Sequence, residues 1–136
     1  MPYFKIELIS DLCVSNGESF GSTIDTDISY DIYGIPVIKA KNLKGCLREI
    51  SEELEDIKAV PTGCTDRIFG QPGEMLPSPL KIQNAHPSNY AELISDIQKN
   101  NLPQNLVRDC YTYTRGQTAV DKETGTAKKE SLRNIR

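Results

Sequence analysis

Leu43, Leu47, Ile50 and Leu54 fall at i, i+4, i+7 and i+11, one face of a 3.6-residue repeat. This run constrains the fold more than any other stretch. Glu49, Glu52, Glu53 and Glu55 occupy the wet side, and Asn42 stands where an N-cap is expected. The helix fades by Lys58, and Pro61-Thr62-Gly63 closes it. A helix with one apolar stripe needs an apolar surface to lie on, and the flanking segments carry the right pattern. Phe4, Ile6 and Leu8 alternate with Lys5 and Glu7, the period-two signal of a half-buried strand over residues 4–9. Residues 24–33 and 35–38 read as two more extended segments turned at Gly34, with Pro36 marking an edge or a strand start.

Residues 62–79 hold three glycines and three prolines and read as loop, and residues 80–85 as a short strand. Ser88 or Asn89 caps a second helix, with Tyr90, Leu93, Ile94 and Ile97 inward, which stops at Asn100-Asn101 before Pro103. Val107, Cys110, Tyr111 and Tyr113 give residues 107–114 the look of a last strand. Strands and helices thus interleave. The expected class is α+β, a ferredoxin-like or RRM-like mixed sheet with helices on one face.

The final stretch differs in kind. In residues 115–136 the bases Arg115, Lys122, Lys128, Lys129, Arg133 and Arg136 face only three acids, whereas the whole chain carries a net charge of −3. Asp121-Lys122-Glu123-Thr124-Gly125 reads as a turn between two polar arms. The expected organisation is one domain over residues 1–114 and a flexible basic tongue over 115–136.

Several classes are excluded. No apolar run approaches the roughly 18 residues that span a bilayer, and charges break up the N-terminal apolar positions where a secretory signal would lie. The expectation is a cytoplasmic chain with no membrane contact. Four cysteines without a C-x-x-C pair, and a single histidine, His86, do not make a metal set. The acidic balance argues against nucleic-acid binding over the whole surface, so any such binding is local. Lys39, Lys41, Lys44 and Arg48 supply a local site: four cations at the start of a helix, where backbone N–H groups and the dipole favour a phosphate. Gly45 among them allows close backbone approach. Tyr111, Tyr113 and Phe20 are candidates for base stacking, with packing the plainer role. His86 reads as a surface histidine at a turn.

Specific resemblance begins at residues 33–49. There Ile35-Pro36-Val37-Ile38 leads through a short turn into Leu43-Lys44-Gly45-Cys46-Leu47-Arg48, with Lys39-Ala40 where a Pro-Gly is usual. Together with the loop over residues 16–23, the stop Arg67-Ile68-Phe69-Gly70 and the tongue, this resembles the RAMP superfamily of CRISPR-associated proteins. The resemblance implies an RNA-binding subunit of a type III effector complex, and an N-terminal portion, since relatives continue where this chain stops. Guide RNA, complementary target RNA and other RAMP subunits are the implied partners, with the tongue similar to the thumb of backbone subunits. The implied RNA-binding residues are Asn16, Gly17, Gly21, Ser22, Lys39, Lys41, Asn42, Lys44, Gly45, Arg48, Arg115, Gln117, Lys128 and Lys129. Asp25 aligns with an aspartate associated with target RNA cleavage, which implies an endoribonuclease using Mg²⁺ or Mn²⁺, with no metal tightly bound. A non-catalytic scaffold with the same contacts is the alternative, and a stand-alone crRNA-processing endoribonuclease a more distant one.

Overall fold

The computed structural model describes residues 3–17, 24–71, 73 and 78–136. Its elements are α1 (Ala40–Asp56), α2 (Cys64–Phe69), α3 (Tyr90–Lys99), α4 (Gln104–Tyr111), β1 (Arg115–Gln117) and β2 (Arg133–Ile135). The class is α+β. β1 and β2 pair antiparallel, with Arg115 opposite Ile135 and Gln117 opposite Arg133. No helix among the described residues is long and apolar enough to cross a membrane. The chain divides into two units, Met1–Pro36 with Ile94–Arg136, and Val37–Leu93, with α3 running from the second into the first.

In the first unit, Ile24, Ile35, Ile97 and Val107 are the buried apolar residues, and Ile35 is fully enclosed. Residues 24–36 form single bridges rather than long ladders: Ser15 with Ile28, Thr26 with Ile135 and Tyr30 with Pro36. The turn between Tyr30 and Pro36 is built by Asp31. Its carboxylate accepts the N–H groups of Tyr33 (2.8 Å) and Ile35 (2.9 Å), and its carbonyl accepts that of Gly34. Gly34 sits at φ +86°, in the left-handed region. α3 ends as its asparagines foretell. Asn101 takes φ +50°, and the Leu102 N–H reaches back to the Ile97 carbonyl at 3.0 Å, a left-handed helix cap.

Two expectations fail here. Residues 107–114 are not a strand, because α4 occupies Gln104–Tyr111. Pro103, extended at the N-cap position, starts the helix, and Leu106/Cys110 and Val107/Tyr111 are both i, i+4 pairs. Residues 3–8 have no regular structure and are exposed throughout. Alternation shows which face a strand would bury, but a strand also needs a neighbouring edge, and among the described residues none pairs with this segment.

In the second unit, Ile38 and Ala85 exchange both main-chain hydrogen bonds, at 3.1 and 2.9 Å, which is all that forms of the strand expected over 80–85. α1 starts three residues early, with Lys39 rather than Asn42 as N-cap and no cap from its own side chain. The Ala40 N–H is accepted instead by the Asn84 side-chain carbonyl at 2.8 Å, a cap from another segment. The supposed loop over 62–79 contains α2. Glu55 organises its start, accepting the Gly63 N–H at 2.9 Å and the Thr65 N–H at 2.5 Å. Thr65 and Phe69 are buried beneath.

The hydroxyl and amide of Thr65, with the amide of Gly63, hold the Glu55 carboxyl below its ordinary value. A depressed carboxyl adds stability above its unfolded-state value and loses it as pH falls through the folded-state value. Amide exchange at Gly63 and Thr65, corrected for intrinsic rates, should therefore lose protection on acidification. Glu55→Gln should show low protection at neutral pH and little further change. Equal acid sensitivity in both chains would rule the cap out.

Candidate nucleic-acid interface

The first candidate surface lies on α1. Lys41, Lys44, Gly45 and Arg48 follow one another at i, i+3, i+4 and i+7, so they share a face, and Leu43, Leu47, Ile50 and Leu54 lie on a different one. Lys39 and Lys41 are exposed, Lys44 and Asn42 half-buried, and a side chain built on Gly45 would meet open space. Asn42 spends its N–H on the Lys39 carbonyl at 3.0 Å. The charge order runs against the helix dipole: lysines gather at the positive end, and acids such as Glu52 and Asp56 at the negative end. Each misplaced surface charge forgoes about 0.3–1 kcal/mol. An anion seated at this end would offset that.

Arg48 has a second occupation. Its guanidinium donates to Glu52 at 2.7 Å, to Asp66 at 3.0 Å and to the Gly70 carbonyl at 2.7 Å, tying α1 to α2 and to the residue that ends it. Lys41 and Lys44 on this face, with Lys39 at the N-cap, are the more available cations.

The second candidate surface belongs to the other unit. Asp25 is exposed, and its carboxylate oxygen Oδ2 accepts the Asn134 N–H at 2.8 Å. Asp27, two residues on, is buried and accepts the Ile28 N–H (2.8 Å) and the Tyr30 hydroxyl (3.1 Å). Burial, with Asp27 alongside, raises Tyr30 above its ordinary value. Asp27 and Asp31 are therefore structural acids, and of the three only Asp25 is open to a ligand. Asn16 donates its main-chain N–H to the Asp27 carbonyl at 2.9 Å, and Gly17 takes φ +80°. Gly21, Ser22 and Phe20 lie outside the described residues.

Beside Asp25 the hairpin closes through β1 and β2. Arg115 and Gln117 are exposed on β1, and Val120 bridges Ala127 farther out. The turn falls where the sequence places it, with the amides of Thr124 and Glu123 on the Asp121 carboxylate, which hold that acid below its ordinary value. A concavity of about 490 Å³ is lined by Gln117, Thr118 and Ala119 from one arm and Lys128–Ser131 with Arg133 from the other. Three cations and one acid face it.

His86 stacks against Tyr90 with ring centroids 4.2 Å apart, and the Tyr113 hydroxyl donates to Asp11. Among the described residues no three His, Cys, Asp or Glu side chains come together as a metal site. Asp25 thus offers one carboxylate, a number that suits an ion shared with substrate phosphates. Sequence reasoning missed Asn84 and Asn134. Each acts on a partner distant in sequence, and no local motif marks them.

A family model described as the RAMP superfamily matches residues 5–136. No curated protein sequence matches. Among solved structures, a chain of the cryo-EM structure of the type III-B Cmr-beta bound to cognate target RNA is similar in fold. Its TM-score is 0.54 at 13% identity, over 91% of this chain and 74% of that one.

Proposed function

We propose that this chain, which belongs to the RAMP superfamily, is an RNA-binding subunit of a type III CRISPR effector complex. It works in the cytoplasm and contacts the guide RNA backbone through Lys39, Lys41, Asn42, Lys44, Gly45 and Arg48 and through the loop with Asn16, Gly17, Gly21 and Ser22. Arg115, Gln117, Lys128 and Lys129 on the thumb-like hairpin lie against the guide–target duplex. Residues 1–114 serve as a ferredoxin-like platform for that hairpin over 115–136. The bridges Thr26 with Ile135 and Tyr30 with Pro36 support the sheet part of this reading. Sequence choice is left to base pairing, with the protein reading shape and phosphates.

The observation that carries the proposal is the lysine cluster placed against the dipole at the start of α1. Incorporation among other RAMP subunits is supported by the apolar stripe of the same helix, where Leu47, Ile50 and Leu54 are 40%, 53% and 37% exposed. An apolar stripe left this open is normally covered by a partner. Asp25 would act on target RNA, and with RNA oxygens would hold Mg²⁺ or Mn²⁺, which supplies electrophilic help at the phosphate. A non-catalytic scaffold retains every contact except the use of Asp25. Processing of crRNA by a stand-alone endoribonuclease is the more distant alternative.

Replacing Lys41 and Lys44 together by alanine should weaken RNA binding equally for all sequences. The slope of log affinity against log salt should shrink by about 0.7 for each lost single-strand phosphate contact. Filter binding over a salt series reads both. An unchanged slope would remove the phosphate site from α1.

A further inference from the structure

We propose that the returning arm of the hairpin, through the main chain of Asn134, positions Asp25 and couples that carboxylate to RNA bound in the basic concavity. The inference rests on the reading of Asp25 as the group that acts on RNA. The Asn134 N–H donates to Asp25 Oδ2 at 2.8 Å, and the Asp25 N–H returns a bond to the Asn134 carbonyl at 2.9 Å. The Arg136 N–H adds a bond to the Thr26 carbonyl at 2.9 Å, as Thr26 bridges Ile135 in parallel. β2 is thus held on both edges, by β1 on one side and by residues 25–26 on the other.

The link to the concavity is covalent. Arg133 lines it with Lys128 and Lys129, and the N–H on Asp25 belongs to the peptide unit that joins Arg133 to Asn134. That unit is planar and resists twisting. A phosphate that draws in the Arg133 side chain and shifts its backbone must carry the donor on Asp25 with it. The donor also fixes Oδ2, so the carboxylate presents one orientation to RNA.

The test uses the full chain, labelled with ¹⁵N and ¹³C, and a short guide–target RNA duplex. The Asp25 amide and carboxyl resonances should move together with those of Lys128 and Lys129. Lys128→Ala with Lys129→Ala should abolish the Asp25 response. An ester in place of the amide at position 134 keeps the Asn134 side chain and removes only the donor. In the ester chain Lys128 and Lys129 should still titrate and the Asp25 carboxyl should not follow. An Asp25 resonance that stays still while the lysines shift, that follows RNA in the ester chain, or a hairpin that meets no RNA would each overturn the coupling. In the assembled complex the ester should cut at least tenfold more slowly at unchanged RNA affinity. If Asp25→Ala cuts at the wild-type rate, the catalytic reading fails by itself and the resonance coupling still stands or falls on its own data.

Discussion

Asp25→Asn should abolish cutting of complementary RNA by the assembled complex while leaving guide binding within about threefold, because one exposed carboxylate adds no attraction to phosphate. In the chemistry proposed, the 2′-oxygen attacks the adjacent phosphorus, the bond to the 5′-oxygen breaks, and the products end in a cyclic phosphate and a 5′-hydroxyl. A carboxylate that orients the 2′-hydroxyl or takes its proton contributes about 10²–10⁴ in rate, so the loss should be at least a hundredfold. Asparagine is the sharper substitution. It keeps an oxygen to accept the Asn134 N–H, so the hairpin base stays in place and only the charge is removed. Asp25→Ala removes both and should also fail to cut. A 2′-deoxy nucleotide at the scissile position should block cutting, and so should chelation of Mg²⁺ and Mn²⁺. Gel analysis of end-labelled target reads all of these. Cleavage that survives Asp25→Asn would move the chemistry elsewhere, and a wild-type complex that never cuts would favour the scaffold.

What sequence showed and what it hid divide along one physical line. α1 and α3 were legible because a helix writes its apolar face into neighbouring residues, and Asn100-Asn101 before Pro103 marked where α3 stops. The lysine cluster was legible for the same reason, since all its members lie within ten residues. α4 was not, because Tyr111 and Tyr113 alternate like a strand and outweighed the i, i+4 pairs before them. Residues 4–9 misled in another way. Their pattern is that of a strand, but pairing depends on an edge that the segment does not itself encode. Asp25 could be aligned, yet its partner Asn134 lies 109 positions away and offers a main-chain donor that every residue except proline has. Arg48 looked like one more phosphate cation, and only the fold reveals Asp66 and Gly70 as its partners.

Gly34→Ala should destabilise the first unit more than any other single-methyl addition among its described glycines. Two costs combine there. The residue sits at φ +86°, which costs an L-residue roughly 1–2 kcal/mol. A β-carbon would also collide with the Gln104 carbonyl oxygen, a main-chain atom at the start of α4 that cannot swing aside. Gln104 is further tethered by its side chain, whose Nε2 donates to the Ile32 carbonyl, so relief requires moving the helix from the turn. Overpacking of this kind typically costs a further 1–3 kcal/mol or so, for a total of about 2–5 kcal/mol. Against a usual domain stability of about 5–15 kcal/mol, that is a large fraction. Gly125→Ala separates the two terms. Gly125 has φ +68° but open space around it, so its replacement should cost only the left-handed penalty. Urea unfolding of the two variants beside wild type measures the difference, and equal midpoints for both would show that α4 does not press on the turn at Gly34.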